Sequence, residues 1–424
     1  MSTRTHLCVV LVALLFLPSI AMNAAATDSA VELENPIWLS EGDLGLEAVA
    51  SGGSSTQKIL VAGADGYARL LDGDNPNEQI ELAHENVETF RSISWHPRGN
   101  TALLGGDGGT LLRYAEEDHS LTTVDTAGQL SGIDIHAVTW NTAGSYAYVG
   151  GQDGWIWAYH EGESGNAVFE LLVTESGSQI TDIDCHPEIN LCLISTLDDG
   201  LAIVDSRTEH TLYWIGGESR MWHGVSCADP FSDKCIAIGD ERGVGIISLD
   251  TDHPEQSVVM IKILYEIQGE FTHVHQRVTG ESLITMSPFQ VIAWDIPDDE
   301  AYGWISNSDV MNASSALAGE RLVGSWTTVD DDYVGYLVTS YGAIIQFHPE
   351  IESNAWTDSM ISYVVGAMVI IAVPGVVLGL IFMNSETLQR KYHERRNSKH
   401  EASEQRRVAA EKDAKKLARS KKNR

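Results

Sequence analysis

Three features of this sequence predict an all-β ring of seven repeated antiparallel units followed by one membrane-spanning α-helix. A hairpin pattern recurs at intervals of 43, 45, 46, 43, 46 and 53 residues, within the range that marks the blades of a radial array. A stretch from Ser359 to Ser385 carries no charged residue. The charge is also split: the last 40 residues hold 14 Lys or Arg against 6 Asp or Glu, whereas residues 27–384 hold 12 against 54.

The chain begins with Arg4, an apolar stretch from Leu7 to Ile20 broken by Pro18, and the small residues Ala24, Ala25 and Ala26. That order is a secretory signal peptide over residues 1–26, with cleavage expected before Thr27. Cys8 lies inside it, which leaves four cysteines for the exported chain.

The repeats follow. Strand, turn, strand, turn, strand is read as KILVAGADGYARLLD from Lys58, SISWHPRGNTALLGGDGGTLLRY from Ser92 and AVTWNTAGSYAYVGGQDGWIWAYH from Ala137. It continues as TDIDCHPEINLCLISTLDDGLAIVD from Thr181, GVSCADPFSDKCIAIGDERGVGIISLD from Gly224, THVHQRVTGESLITMSPFQVIAWD from Thr272 and VGSWTTVDDDYVGYLVTSYGAIIQFH from Val323. The second turn falls near Gly66, Gly109, Gly154, Gly200, Gly243, Phe289 and Gly342. Pairs such as Tyr146 with Tyr148, and Trp155 with Trp157, show the period of two expected of strands. Gly, Asp, Asn and Pro supply the turn geometry. Unpaired sheet edges favour radial closure, so residues 27–350 are expected to form a seven-bladed β-propeller. Ile37 to Ser40 precede the first unit without a hairpin partner, and are expected to add the outer strand of the last blade.

The units resemble WD40 repeats, in which an apolar strand, a Pro/Gly turn, a second strand, an Asp-Gly turn and a strand ending near Trp-Asp make each blade. Trp294-Asp295 is a literal pair, Leu71-Asp72, Val204-Asp205 and Leu249-Asp250 keep the Asp, and Ala83-His84 comes nearest to the usual Gly-His. The likeness covers roughly residues 36–350 and is that of a divergent member. It implies that partners dock on the face built from the loops between blades and the Asp-Gly turns.

After a short linker (351–358), residues 359–384 are long and apolar enough to cross about 30 Å of hydrocarbon. Arg390, Lys391, Arg395 and Arg396 come next, so the positive-inside rule places the basic tail (385–424) in the cytoplasm. The expected protein is a single-pass type I protein of the cell membrane whose partners include the bilayer. Gly375 and Gly379 form a small-xxx-small pair that could support a helix-mediated dimer. The tail reads as a solvated helix or a disordered arm.

The acidic middle would repel nucleic acid, and suits a salt-rich medium or a cationic partner. Cys185 and Cys192 flank the first turn of the fourth unit, and Cys227 and Cys235 the matching turn of the fifth. Each pair is expected to form a disulfide in an oxidising compartment. Zinc held by all four is the alternative, weakened by the absence of a CxxC pair.

No Gly-x-Ser-x-Gly elbow, HExxH, phosphate loop or dinucleotide fingerprint occurs, which weighs against the common enzyme classes. His273 and His275 share one face of a strand and would need a third ligand to hold a metal. His96, His186 and His348 each precede a proline, two of them in first turns, and are read as turn residues. Asp72, Asp74 and Asn77 resemble part of a calcium loop, but Pro76 breaks the pattern. Asp330, Asp331 and Asp332 read as a solvated turn. Asn312-Ala-Ser314 is a glycosylation acceptor between blades.

Tyr213, Trp214, Arg220, Met221 and Trp222 concentrate interface residue types. With Asp65, Asp107, Gln152, Asp153, Glu241, Arg242 and Phe289 they are the binding-face candidates. The packing of those rings between blades is the competing explanation. The expectation is a non-enzymatic, extracytoplasmic scaffold that binds a protein partner or ligand and needs no cofactor. The alternative is a surface propeller enzyme, quinoprotein-like or lactonase-like, with a metal or cofactor at the central channel.

Overall fold

The computed structural model describes residues 29–53, 56–126, 128–162, 165–172, 177–207, 209–349 and 381–422. The expected signal peptide, the linker and residues 359–380 of the expected spanning helix lie outside the described residues. Among the described residues no helix is long and apolar enough to cross a membrane.

The described residues from 29 to 349 form one compact unit of seven antiparallel sheets. Blade 1 is β3 (Leu46–Gly52), β4 (Lys58–Gly63), β5 (Ala68–Asp72) and β6 (Gln79–Glu81). Blade 2 is β7 (Phe90–Trp95), β8 (Thr101–Gly106), β9 (Leu111–Ala115) and β10 (Ser120–Thr123), and blade 3 is β11 (Ile135–Trp140), β12 (Ala147–Gly151), β13 (Ile156–Glu161) and β14 (Ala167–Leu171). Blade 4 is β15 (Ile180–Cys185), β16 (Leu191–Thr196), β17 (Leu201–Asp205) and β18 (Thr211–Gly216). Blade 5 is β19 (Trp222–Ser226), β20 (Lys234–Gly239), β21 (Gly243–Ser248) and β22 (Val258–Ile263). Blade 6 is β23 (Glu270–Val278), β24 (Glu281–Ser287), β25 (Gln290–Asp295) and β26 (Glu300–Ile305). Blade 7 takes β27 (Leu322–Thr327), β28 (Gly335–Thr339) and β29 (Ala343–Pro349) from the C-terminal end of this unit.

Closure uses the N-terminal end, as anticipated, but the fastening is longer than Ile37 to Ser40. β1 (Val31–Leu33) pairs antiparallel with β29, Val31 opposite Pro349 and Leu33 opposite Phe347, and β2 (Ile37–Trp38) continues along the same strand opposite Ile344 and Ala343. A short helix α1 (Asn307–Ala313), capped by the Ser306 hydroxyl, lies between blades 6 and 7 and accounts for the longest repeat interval. It carries Asn312 on an exposed helical surface rather than in an extended loop. Separately, α2 (Glu386–Lys422) makes the basic tail one continuous helix.

The first strand of each blade packs against that of the next, and β27 against β3, so these strands ring the axis. Seven apolar clusters fill the seven seams; one joins Leu60, Phe90 and Tyr114 of blades 1 and 2, another Val61, Trp326 and Ile344 of blades 7 and 1. Burying one such side chain contributes about 1.5–3 kcal/mol, so the seams hold the ring. Both disulfides are present: Cys185–Cys192 with Cα atoms 3.9 Å apart, directly opposed on β15 and β16, and Cys227–Cys235 with Cα atoms 4.3 Å apart.

Candidate binding face

Chain direction sorts the loops onto two faces. Each blade's first strand starts on the face that also carries its second turn and the loop arriving from the previous blade. Backbone hydrogen bonds tie the two together: Ala64 N–H donates to Gly45 O (3.0 Å), Asp107 N–H to Thr89 O (2.9 Å), Gln152 N–H to Asp134 O (2.9 Å), and Asp240 N–H to Met221 O (3.0 Å). The second turns are tight left-handed corners, with φ of +53° at Asp65, +59° at Asp153 and +53° at Glu241. Gly109 (φ +83°) shows why glycine recurs there, because a Cβ would lie 1.8 Å from the Leu130 carbonyl oxygen.

Blade 5 departs from that rule. Arg242, at φ +60°, occupies the left-handed position expected of Gly243. Gly243 is needed for another reason: a Cβ on it would sit 2.5 Å from the Arg220 guanidinium.

The candidate residues separate accordingly. Met221 is 42 % exposed, and Asp65, Asp153 and Glu241 are exposed on the loop face. Gln152 lies beside them, half-buried. Asp107 holds Arg91, whose Nη2 is 3.0 Å from its Oδ2. Arg220 is nearly enclosed and ion-paired to Asp240 (3.3 Å) and Glu241 (3.8 Å), and Arg242 donates to the Ile267 carbonyl (2.9 Å). These arginines brace loops.

Trp222 and Phe289 do not belong to the face. Trp222 is fully buried in the seam between blades 4 and 5, with its indole N–H donating to Gly217 O (2.9 Å), and Phe289 is buried between blades 6 and 7. Tyr213 and Trp214 lie on β18, the outer strand of blade 4, half-buried at the rim. For Trp222 and Phe289, and for Trp214 against the seam of blades 3 and 4, packing between blades was the better explanation.

Four exposed apolar side chains that the sequence reading did not single out as sites belong to the loop face: Val87, Trp155, Tyr265 and Tyr341, at 72 %, 40 %, 77 % and 43 % exposure. Their signal was an apolar residue inside an inter-blade loop or just after a second turn. With Met221 they form apolar points among acidic turns, a pairing of anchors and polar surround typical of interfaces.

The innermost strands carry a second polar set. Asp182 Oδ2 on β15 accepts the Val225 N–H of β19 (3.0 Å) and Asp184 Oδ2 accepts the Cys227 N–H just after that strand (2.8 Å). Ser92 and Ser94 on β7 do the same for Val138 (2.9 Å) and Trp140 (3.1 Å) of β11. A first strand is the axial edge of its sheet, so these acceptors satisfy donors the ladder leaves open. Burial pushes Asp182 up to about 7, with the Asp184 charge adding to the rise and the Val225 N–H opposing it; burial likewise pushes Asp184 up to about 6. Both residues keep some exposed surface, which tempers the shift.

His273 and His275 lie on β23 with stacked rings 6.0 Å apart. Burial brings His273 down to about 4, and His275 to about 3 with the His273 charge adding to the fall. His275 Nε2 is 2.7 Å from the Ser325 hydroxyl on β27. Among the described residues no group of three or more His, Cys, Asp or Glu is placed to hold a metal ion.

The His-Pro turns are structural. His186 Nδ1 accepts from Glu188 and Ile189 N–H (3.1 Å each), so Nε2 donates to Ser232 O (2.7 Å) in the next blade, and His96 spans to Gly144 O (2.9 Å) in the same way. Asp72 Oδ1 accepts the N–H groups of Asp74 (3.1 Å) and Asn75 (3.2 Å), and its other oxygen holds Lys58 (3.1 Å), so the DGDNPNE segment is a braced turn.

No family model and no curated protein matches this chain. Among solved structures, the chain is similar to the β-propeller domain of Cps50 (Swd1) from Myceliophteria thermophila. The TM-score is 0.55 at 12 % identity, and the match covers 75 % of this chain and 99 % of that one. At that identity the likeness concerns the fold. The fold is a seven-bladed β-propeller whose repeats diverge widely in sequence.

Proposed function

We propose that this chain is a membrane-anchored, extracytoplasmic interaction scaffold that captures a protein partner on the loop face of its propeller. The observation that carries this reading is the composition of that face: Met221, Trp155, Tyr265, Val87 and Tyr341 stand exposed among acidic turns, while the nearby Arg91 and Arg220 are held in ion pairs. Excess acid with apolar anchors suits a partner carrying Lys or Arg beside apolar side chains. The uncharged stretch 359–384 and the basic residues after it support the anchor, and the acidic propeller is consistent with an exterior medium.

The test is affinity capture by the detergent-solubilised full chain, comparing wild type with Met221→Ala plus Tyr265→Ala. Both side chains are solvent-exposed, so folding should survive, and thermal unfolding checks that it does. A protein retained by wild type and lost from the variant supports the scaffold. Retention by both would show that this face is not the docking site. The enzyme reading rests on the neutral His273 and His275 pair; stoichiometric metal in the purified chain, lost in His273→Ala, would favour it instead.

A further inference from the structure

We infer that β22 is a self-pairing edge: two copies of this chain dock antiparallel along Val258–Ile263 and join their fifth blades into one continuous sheet. This surface lies on the rim, apart from the loop face, and the inference does not depend on the partner proposed above. β22 is the last strand of its sheet, paired to β21 on one side, so its other edge presents backbone donors and acceptors to solvent.

Its sequence, VVMIKI, has apolar side chains at every position but one, with Val258, Met260 and Ile261 at 61 %, 56 % and 41 % exposure. The exception is tied back: Lys262 Nζ donates to Asp299 O (2.7 Å) and lies 5.1 Å from the Trp294 ring of blade 6. Outer strands are commonly protected by charge or shortness. Here β6 is short and carries Glu81, β14 carries Glu170, β26 carries Glu300 and β1 carries Glu32; β10, β18 and β22 carry no acid, and of these three only β22 exposes large apolar side chains, since β10 is four residues of Ser, Leu and Thr and the apolar residues of β18 are half-buried.

The charge pattern selects the occupant. At a formal charge of −33, two copies repel over most of their surface and can approach only where acid is missing. A cationic partner is drawn to the acidic turns instead, and an acidic one is repelled by the propeller. An edge strand paired with its own copy is isologous, each position meeting its counterpart across the two-fold axis. In a register centred on Met260, Lys262 meets Val258, so no like charges face each other. Five residues of pairing, Val258 to Lys262 on each copy, bury less than the roughly 1,200 Å² of a standard interface, which makes the dimer weak and concentration-dependent.

Sedimentation velocity on the detergent-solubilised full chain tests this at about 0.1 M and about 1 M NaCl. Salt screens the repulsion, so wild-type dimer should increase with salt. Met260→Glu should raise the dissociation constant at least about tenfold, while Val87→Glu on the loop face should leave it unchanged. Circular dichroism confirms folding of both variants. A wild type that stays monomeric at high salt, or a dimer that persists in Met260→Glu, overturns the proposal; the second result would locate self-association elsewhere, the uncharged C-terminal stretch included. Loss of a different bound protein in Met260→Glu, with wild type monomeric, would equally overturn it.

Discussion

At the scale of single residues, the positions that matter most are those where one blade reaches the next. Asp182 and Asp184 each use an oxygen to accept a backbone N–H of blade 5, at the cost of burying a carboxylate. Their pKa values stand above the unfolded value near 3.9. The folded chain therefore holds these protons more tightly than the unfolded one. Their favourable contribution is complete below about pH 4 and is lost as pH rises through about 6 and 7. Asp182→Asn keeps an oxygen for the Val225 N–H and removes the charge. Its melting temperature relative to wild type should rise more at about pH 8 than at about pH 4.5; an equal difference at both would show that Asp182 titrates in the fold as it does in the unfolded chain. TDIDC was legible as a strand, but not as a clamp, because the donor it serves lies 43 residues away.

At the scale of elements, the paired disulfides in blades 4 and 5 were readable because equivalent placement in successive hairpins is a local pattern. They close loops separated by 7 and 8 residues. Chain-entropy arguments give each such loop about 2–3 kcal/mol. Replacing Cys227 and Cys235 together by Ala should lower stability by about that amount in denaturant titrations, with little change in the loop face. A loss below about 0.5 kcal/mol would show that the hairpin is already ordered in the unfolded chain. Gly243 illustrates the opposite case. It matched the turn glycines by spacing, yet the left-handed corner is Arg242, and the glycine makes room for a guanidinium from the preceding loop.

At the scale of the whole molecule, the ring depends on one closure that joins the two ends of the propeller. Val31 is buried against blade 7, and β1 supplies that blade's outer pairing. Val31→Asp places a charge in this contact and should destabilise the whole domain by several kcal/mol, because a buried unpaired charge is costly. A single cooperative unfolding transition at lower temperature is expected. An unchanged transition would mean that β1 frays without loosening the ring.

Repeat period, turn chemistry, cysteine placement and charge asymmetry are local or additive properties, and the sequence by itself determined from them the blade number, the disulfide pairs and the closure by an N-terminal strand. Side-chain fate is not local. Trp222 and Phe289 looked like interface aromatics and are core, since each is covered by the neighbouring blade. Val87, Tyr265 and Tyr341 are exposed because the ring leaves those loops open. Which aromatic is anchor and which is core was decided only by tertiary structure, because burial depends on what the next blade brings against it, some forty residues further along the chain.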